Sequence, residues 1–237
     1  MPRLARVSPV GVSQHVIQRG NNRQVCFVGE QDMRAYIYWL KEFSLKFKVN
    51  IHAWVLMTNH VHLLCTPQKE YAVSRMMQSL GRMYVRYFNH EYRRTGTLWE
   101  GRFKSCLVQD EIYLLQVYRY IELNPIRANM VNDPAEYFWS SYQCNALGKD
   151  SKLITYHPLY LRLGNSKSER LDHYRNLFKT HVSEKLIEDI RHCTNKGLAL
   201  GSEKFKKEIE ILTKKRVTPL KMGRPKSDII GHDKSLL

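Results

Sequence analysis

Along the first half of this chain the spacing of apolar residues switches between the period of a strand and the period of a helix. Ser13–Arg19 (SQHVIQR) alternates polar and apolar positions, as a half-buried strand does, and Gly20-Asn21-Asn22 supplies the turn that ends it. Gln31–Lys48 brings in Tyr36, Ile37, Leu40, Phe43, Leu45 and Phe47, which predicts an amphipathic helix. Val49–Thr66 is rich in β-branched and apolar residues, with Thr58-Asn59 as a bend. It predicts a hairpin of two strands, Asn50–Met57 and His60–Thr66. Tyr71–Arg94 returns to helical spacing through Val73, Met76, Met77, Leu80, Tyr84, Tyr87 and Phe88, with arginines on the opposite face, until Thr95-Gly96 stops it. Lys104–Gln109 predicts a further strand. Asp110 can cap a following helix, Glu111–Asn124, with Pro125 at its end.

The order β-α-β-β-α-β followed by a helix predicts an α+β fold: an antiparallel sheet with helices on one face. After a looser stretch, Asp133–Lys167, three short helices are expected at Ser168–Lys179, Ser183–Thr194 and Gly201–Thr213. The Gly197–Gly201 break between the last two has the length of a helix-turn-helix connection. This predicts three regions. Residues 1–150 form the chemical domain, 151–180 connect, and 181–237 form a small helical, basic, DNA-binding region with a flexible tail.

Composition sharpens the picture. Hydrophobic residues make up 43% of the 237, enough for a buried core, which excludes a wholly disordered chain. Lys and Arg number 38 against 22 acidic residues, a formal charge of +16, and residues 151–237 alone hold 19 against 10. Such an excess points to a polyanionic partner, because each phosphate neutralised releases condensed counterions. Five scattered cysteines without a CxxC spacing exclude a zinc knuckle or a disulfide framework and fit a reducing compartment. No run approaches the roughly 20 apolar residues of a membrane span. A cytoplasmic protein with no membrane partner, monomer or homodimer, is expected.

Two constellations could carry chemistry. In His60-Val61-His62, residues i and i+2 of a strand share a face, so two imidazoles converge as half of a metal site. On the helix after Asp110, Tyr120 and Asn124 share a face at i and i+4, and so do Tyr118 and Glu122. Spacing does not choose between the two tyrosines. A tyrosine attacks phosphorus effectively only where a cation polarises the phosphate. Arg19, Arg23, Arg82, Arg86, Arg102, Lys104, Arg119 and Arg127 are candidate contacts to a DNA backbone. In the tail, Gly223-Arg224-Pro225 resembles the core of an AT-hook, which would put Arg224 in a minor groove; an unstructured basic tail is the alternative.

Four segments together, His15–Arg23 (HVIQRGNNR), His52–Leu64 (HAWVLMTNHVHLL), Gly96–Arg102 (GTLWEGR) and Tyr118–Pro125 (YRYIELNP), resemble the REP-associated tyrosine transposases, HUH single-tyrosine enzymes. The resemblance spans roughly residues 1–145. It implies a ferredoxin-like sheet with the HUH motif on a central strand, a Mg²⁺ or Mn²⁺ ion, and cleavage of single-stranded or hairpin DNA through a 5′-phosphotyrosine. It puts the metal ligands on His60, His62 and Asn124 and the nucleophile on Tyr120. The expected activity is a metal-dependent endonuclease and strand transferase on hairpin-forming repeats. The alternative is a catalytically silent DNA-binding regulator of such repeats.

Overall fold

The computed structural model describes residues 6–219. Five strands form one sheet in the order β2-β3-β1-β4-β5: β1 Gln14–Arg19, β2 Val49–Met57, β3 His60–Pro67, β4 Lys104–Val108 and β5 Ala199–Leu200. The first four strands pair antiparallel, and β5 joins β4 in parallel. The predicted hairpin is present, with His60 and His62 on β3, an interior strand.

Helices α1 (Glu30–Phe47) and α2 (Ala72–Glu91) pack together over one sheet face. Their apolar stripes, with Tyr36, Leu40, Met76, Leu80 and Tyr84, meet Val16, Leu56, Val61 and Leu63 in one core cluster. The buried Asp32 of α1 fastens the two helices by accepting from the Tyr87 and Tyr92 hydroxyls at 3.0 and 2.8 Å. These two are the helices on one face that the pattern predicts.

The opposite face is covered as well. Strand residues alternate between faces, and Ala53, Val55, Leu64, Cys106 and Val108 present a second apolar row to that side. Three elements seal it: α3 (Asp110–Glu122), the single turn α4 (Asn124–Arg127), and α8 (Glu184–Lys196). The short α5 (Tyr142–Asn145), α6 (Pro158–Leu161) and α7 (Lys167–Leu177) buttress α3 through Tyr142, Tyr160 and Tyr174. The last helix, α9 (Glu203–Thr213), packs Ile209 against Leu107 and Ala199.

The C-terminal segment thus differs from its expectation. The break read as a helix-turn-helix connection contains β5, whose Leu200 carbonyl accepts from the Gln109 amide at 2.9 Å. Residues 184–200 complete the sheet and its second core, so the boundary expected at residue 181 is not one of packing. The apolar back of the sheet and the edge of β4 both need cover, and this segment supplies it. Among the described residues no helix is long and apolar enough to cross a membrane.

Candidate active site

The period of β3 sends Val61 into the first core cluster and turns His60 and His62 to the other face. Register sets their neighbours: His62 lies opposite Val55 and Ile17, and His60 opposite Met57 and Arg19. The two imidazoles have ring centroids 5.0 Å apart. The turn after β1 is pressed against the start of β3 by Gly20, whose amide donates to the Asn59 carbonyl at 2.8 Å. A Cβ on Gly20 would fall 2.2 Å from the Gln24 carbonyl oxygen, so the close approach needs glycine.

Neighbours orient both rings. The Asn59 Nδ2 donates to the Arg23 carbonyl at 3.0 Å, which leaves its Oδ1 as the acceptor for the His60 Nδ1–H at 2.6 Å. The Nε2 of His60 therefore keeps its lone pair. The His62 Nδ1 is bonded to the Nε2 of His15 at 2.8 Å, with the two ring planes only 7° apart. The Nδ1 of His15 meets the Thr194 hydroxyl of α8 at 2.9 Å. Burial pushes His15 down to about 3. Burial with Arg19 nearby pushes His60 to about 4, and burial with its charged neighbours holds His62 well below 6.5. All three are neutral at pH 7, the form that ligates a cation.

The structure separates the two tyrosines of α3. Tyr118 is fully buried, its ring between Tyr160 and Tyr174. Tyr120 faces the histidines, edge-on to His15 and His62 at 5.6 and 5.7 Å between centroids. The Arg127 guanidinium lies 4.6 Å over its ring and donates to its carbonyl oxygen.

Asn124 does not end α3 but opens α4, and Pro125 decides which way its amide turns. Proline has no N–H, so the Ile121 carbonyl loses its usual i+4 donor. The Asn124 Nδ2 supplies one at 3.1 Å, and another to the Tyr120 carbonyl at 2.9 Å. Its Oδ1 has no hydrogen-bond partner among the described residues. His60, His62, Tyr120 and Asn124 line one cavity of 620 Å³, with Arg19 and Arg127 among its walls.

The His60 Nε2, the neighbouring His62 imidazole and the Asn124 amide oxygen are the kinds of nitrogen and oxygen donor that divalent cations take. Among the described residues no three His, Cys, Asp or Glu side chains converge on a metal position. The further oxygen donor at this cavity is the Asn124 amide.

The basic candidates divide. Arg19, Arg23 and Arg127 border the tyrosine cavity, and Arg23 is exposed. On the α2 side of the sheet, Arg82, Arg86 and Arg102 line a groove of 640 Å³ with Arg6 and Arg75. A third cavity of 580 Å³, holding Lys104, shares Thr194 and Asn195 with the tyrosine cavity and Arg6 and Arg102 with the groove. The three form a basic track across the half of β4 that β5 leaves unpaired. Arg119 is a correction. It is 3% exposed and its guanidinium is held by Gln116 and Thr180, so it ties α3 to the segment before α8 and has no face toward DNA. Arg224 lies outside the described residues.

His15, Thr194, Asn195 and Arg191 also border the cavity. His15 could be found from the sequence, since it shares the strand face of Arg19. The three α8 residues carry no local signal. His52, on β2, takes no part in the cavity and is tied to the Thr155 carbonyl and the Thr66 hydroxyl.

Residues 10–124 match the family described as "Transposase IS200 like". Among solved structures, the chain is similar to one described as a "REP associates tyrosine transposase bound to a REP hairpin". Identity is 17%, coverage is 66% of this chain and 93% of that one, and the TM-score is 0.52, a likeness of fold. It is also similar to a transposase-like chain of Deinococcus radiodurans R1, at 22% identity over 51% of this chain and 96% of that one; the TM-score of 0.36 carries no structural argument. No curated protein matches the chain.

Proposed function

We propose that this chain, whose residues 10–124 match the family described as "Transposase IS200 like", is a metal-dependent single-stranded DNA endonuclease and strand transferase. Its substrates are hairpin-forming repeats and its intermediate is a 5′-phosphotyrosine. One observation supports this reading above the others: a tyrosine, two neutral imidazoles and an amide oxygen line the same cavity, though they come from a strand and a helix distant in the chain.

The Tyr120 hydroxyl oxygen attacks the scissile phosphorus. A Tyr120 O–P bond forms as the P–O3′ bond breaks, the phenol gives up its proton, and the departing 3′ oxygen gains one. One phosphodiester replaces another, so attack by a 3′-hydroxyl can rejoin the strand. A Mg²⁺ or Mn²⁺ held by the Nε2 atoms of His60 and His62 and the Oδ1 of Asn124 would polarise the phosphate and offset its developing charge. Arg19 and Arg127 add fixed positive charge at the same cavity. The track through Lys104 and Arg102 to Arg82 and Arg86 holds the flanking strand by its phosphates.

Tyr120→Phe is expected to abolish the covalent adduct on a repeat hairpin with Mn²⁺, with binding unchanged in a filter assay. Tyr118→Phe is expected to keep the adduct, because that ring is core packing. An adduct that survives in Tyr120→Phe overturns the assignment of the nucleophile. Binding without any adduct in the wild type leaves the silent regulator in its place.

A further inference from the structure

We propose that Thr194 of α8 is a positioning residue for the metal ligand His62: acting through His15, it dictates which ring nitrogen of His62 carries the proton. The inference rests on His62 being a ligand, as proposed above, and Thr194 lies outside the matched 10–124.

A threonine hydroxyl has one hydrogen to give. Thr194 gives it to the Ile190 carbonyl one helical turn back, at 2.7 Å. Its oxygen can then only accept, and it has two close neighbours, the Cys106 thiol at 3.2 Å and the His15 Nδ1 at 2.9 Å. The Nδ1 of His15 must therefore be N–H. A neutral imidazole has a single proton, so the His15 Nε2 is an acceptor, and its partner at 2.8 Å, the His62 Nδ1, must be the donor. The Nε2 of His62 is left bare. His15, His62 and Thr194 are 1%, 2% and 3% exposed, so their ring and hydroxyl atoms are satisfied chiefly by one another.

The two rings have only one other self-consistent pair of tautomers. If Thr194 gave its proton to His15, both rings would reverse and His62 would present Nε2–H to the cavity. A protonated nitrogen cannot coordinate a metal. The bond from Thr194 to Ile190 selects the competent state, and so couples the C-terminal helix to the metal position. His60 reaches the same tautomer independently through Asn59.

The test uses the full chain, ¹⁵N-labelled and free of metal, with two-bond ¹H–¹⁵N spectra that identify each histidine tautomer. His15 and His62 are expected as Nδ1–H in the wild type and in Thr194→Ser, which keeps the hydroxyl. Thr194→Val leaves the His15 Nδ1–H without an acceptor, and is expected to shift His62 toward Nε2–H. In Mn²⁺ titrations followed by electron paramagnetic resonance, Thr194→Val is expected to bind roughly 10- to 100-fold more weakly, with Thr194→Ser close to wild type. A wild-type His62 found as Nε2–H overturns the proposal without any variant, and so does a folded Thr194→Val whose Mn²⁺ affinity equals that of the wild type. A wild type with the expected tautomers that binds no Mn²⁺ overturns the metal reading of the site, and with it a positioning role toward a metal.

Discussion

Glu122 lies inside the second core, where its carboxylate accepts from Ser141, Asn145 and Tyr174 at 2.5, 2.8 and 2.7 Å. Burial outweighs these bonds and pushes it up from 4.5 to about 7. Across that interval the folded chain holds a proton that the unfolded chain has released. Raising the pH therefore costs stability, on the order of 3 kcal/mol once the pH exceeds 7. Histidines act with the opposite sign. His15 and His60 fall to about 3 and about 4, so their contribution is full above 6.5 and is lost as the pH drops toward 4. Glu122→Gln removes only the first effect. Its urea midpoint relative to wild type is expected to climb between pH 5 and pH 8; a constant difference would show that Glu122 does not carry the shift. At this scale the sequence was legible where local geometry decides. The HxH pair shares a face because strands have period two, and Asn124 stays by Tyr120 one turn on, its Nδ2 donating to the Tyr120 carbonyl although α3 ends at Glu122. Tyr118 with Glu122 obeys the same spacing. The resemblance favoured Tyr120, and in the structure the packing of Tyr118 between Tyr160 and Tyr174 sets the two pairs apart.

At the scale of elements, the amphipathic stretches were readable and the junctions were not. The helices and strands up to β4 lie within a few residues of their predicted ends, because each has a regular apolar face to bury. Pro125 was expected to end a helix. It opens a new turn instead and redirects the Asn124 amide. Ala199–Leu200 is too short to show any period, and becomes a strand only because β4 offers it an edge. A chain cut after residue 180 loses α8, β5 and α9, which exposes Leu107, Cys106 and Val108. It is expected to unfold at lower urea without a cooperative transition, read by circular dichroism. A truncated chain as stable as the whole would mean that the C-terminal region is separable after all.

Across the whole molecule, the charge of +16 has a geometry that composition does not reveal. Basic side chains from β1, α2, the segment before β4 and α8 form one track through three adjoining cavities. If a strand follows it, Arg82→Ala with Arg86→Ala lowers the slope of log affinity against log salt by about 1.4, roughly 0.7 for each single-strand phosphate that is no longer neutralised. Arg119→Ala, which breaks the tie to Thr180, is expected to lower stability by about 1–3 kcal/mol and leave that slope unchanged. Equal slopes for the double variant and wild type would remove the α2 groove from the DNA path.

The sequence alone determined what depends on near neighbours: the strand and helix periods, the shared face of His60 and His62, the one-turn spacing of Tyr120 and Asn124, and a large excess of positive charge. Tertiary structure decided what depends on distant ones. These are the facing of Tyr120, and not Tyr118, toward His15 and His62, the burial of Arg119, the strand at Ala199–Leu200, and the contact of Thr194 with His15. The reason is that a side chain's face along its own element follows from backbone geometry, while the partner that face meets is set by how the sheet closes.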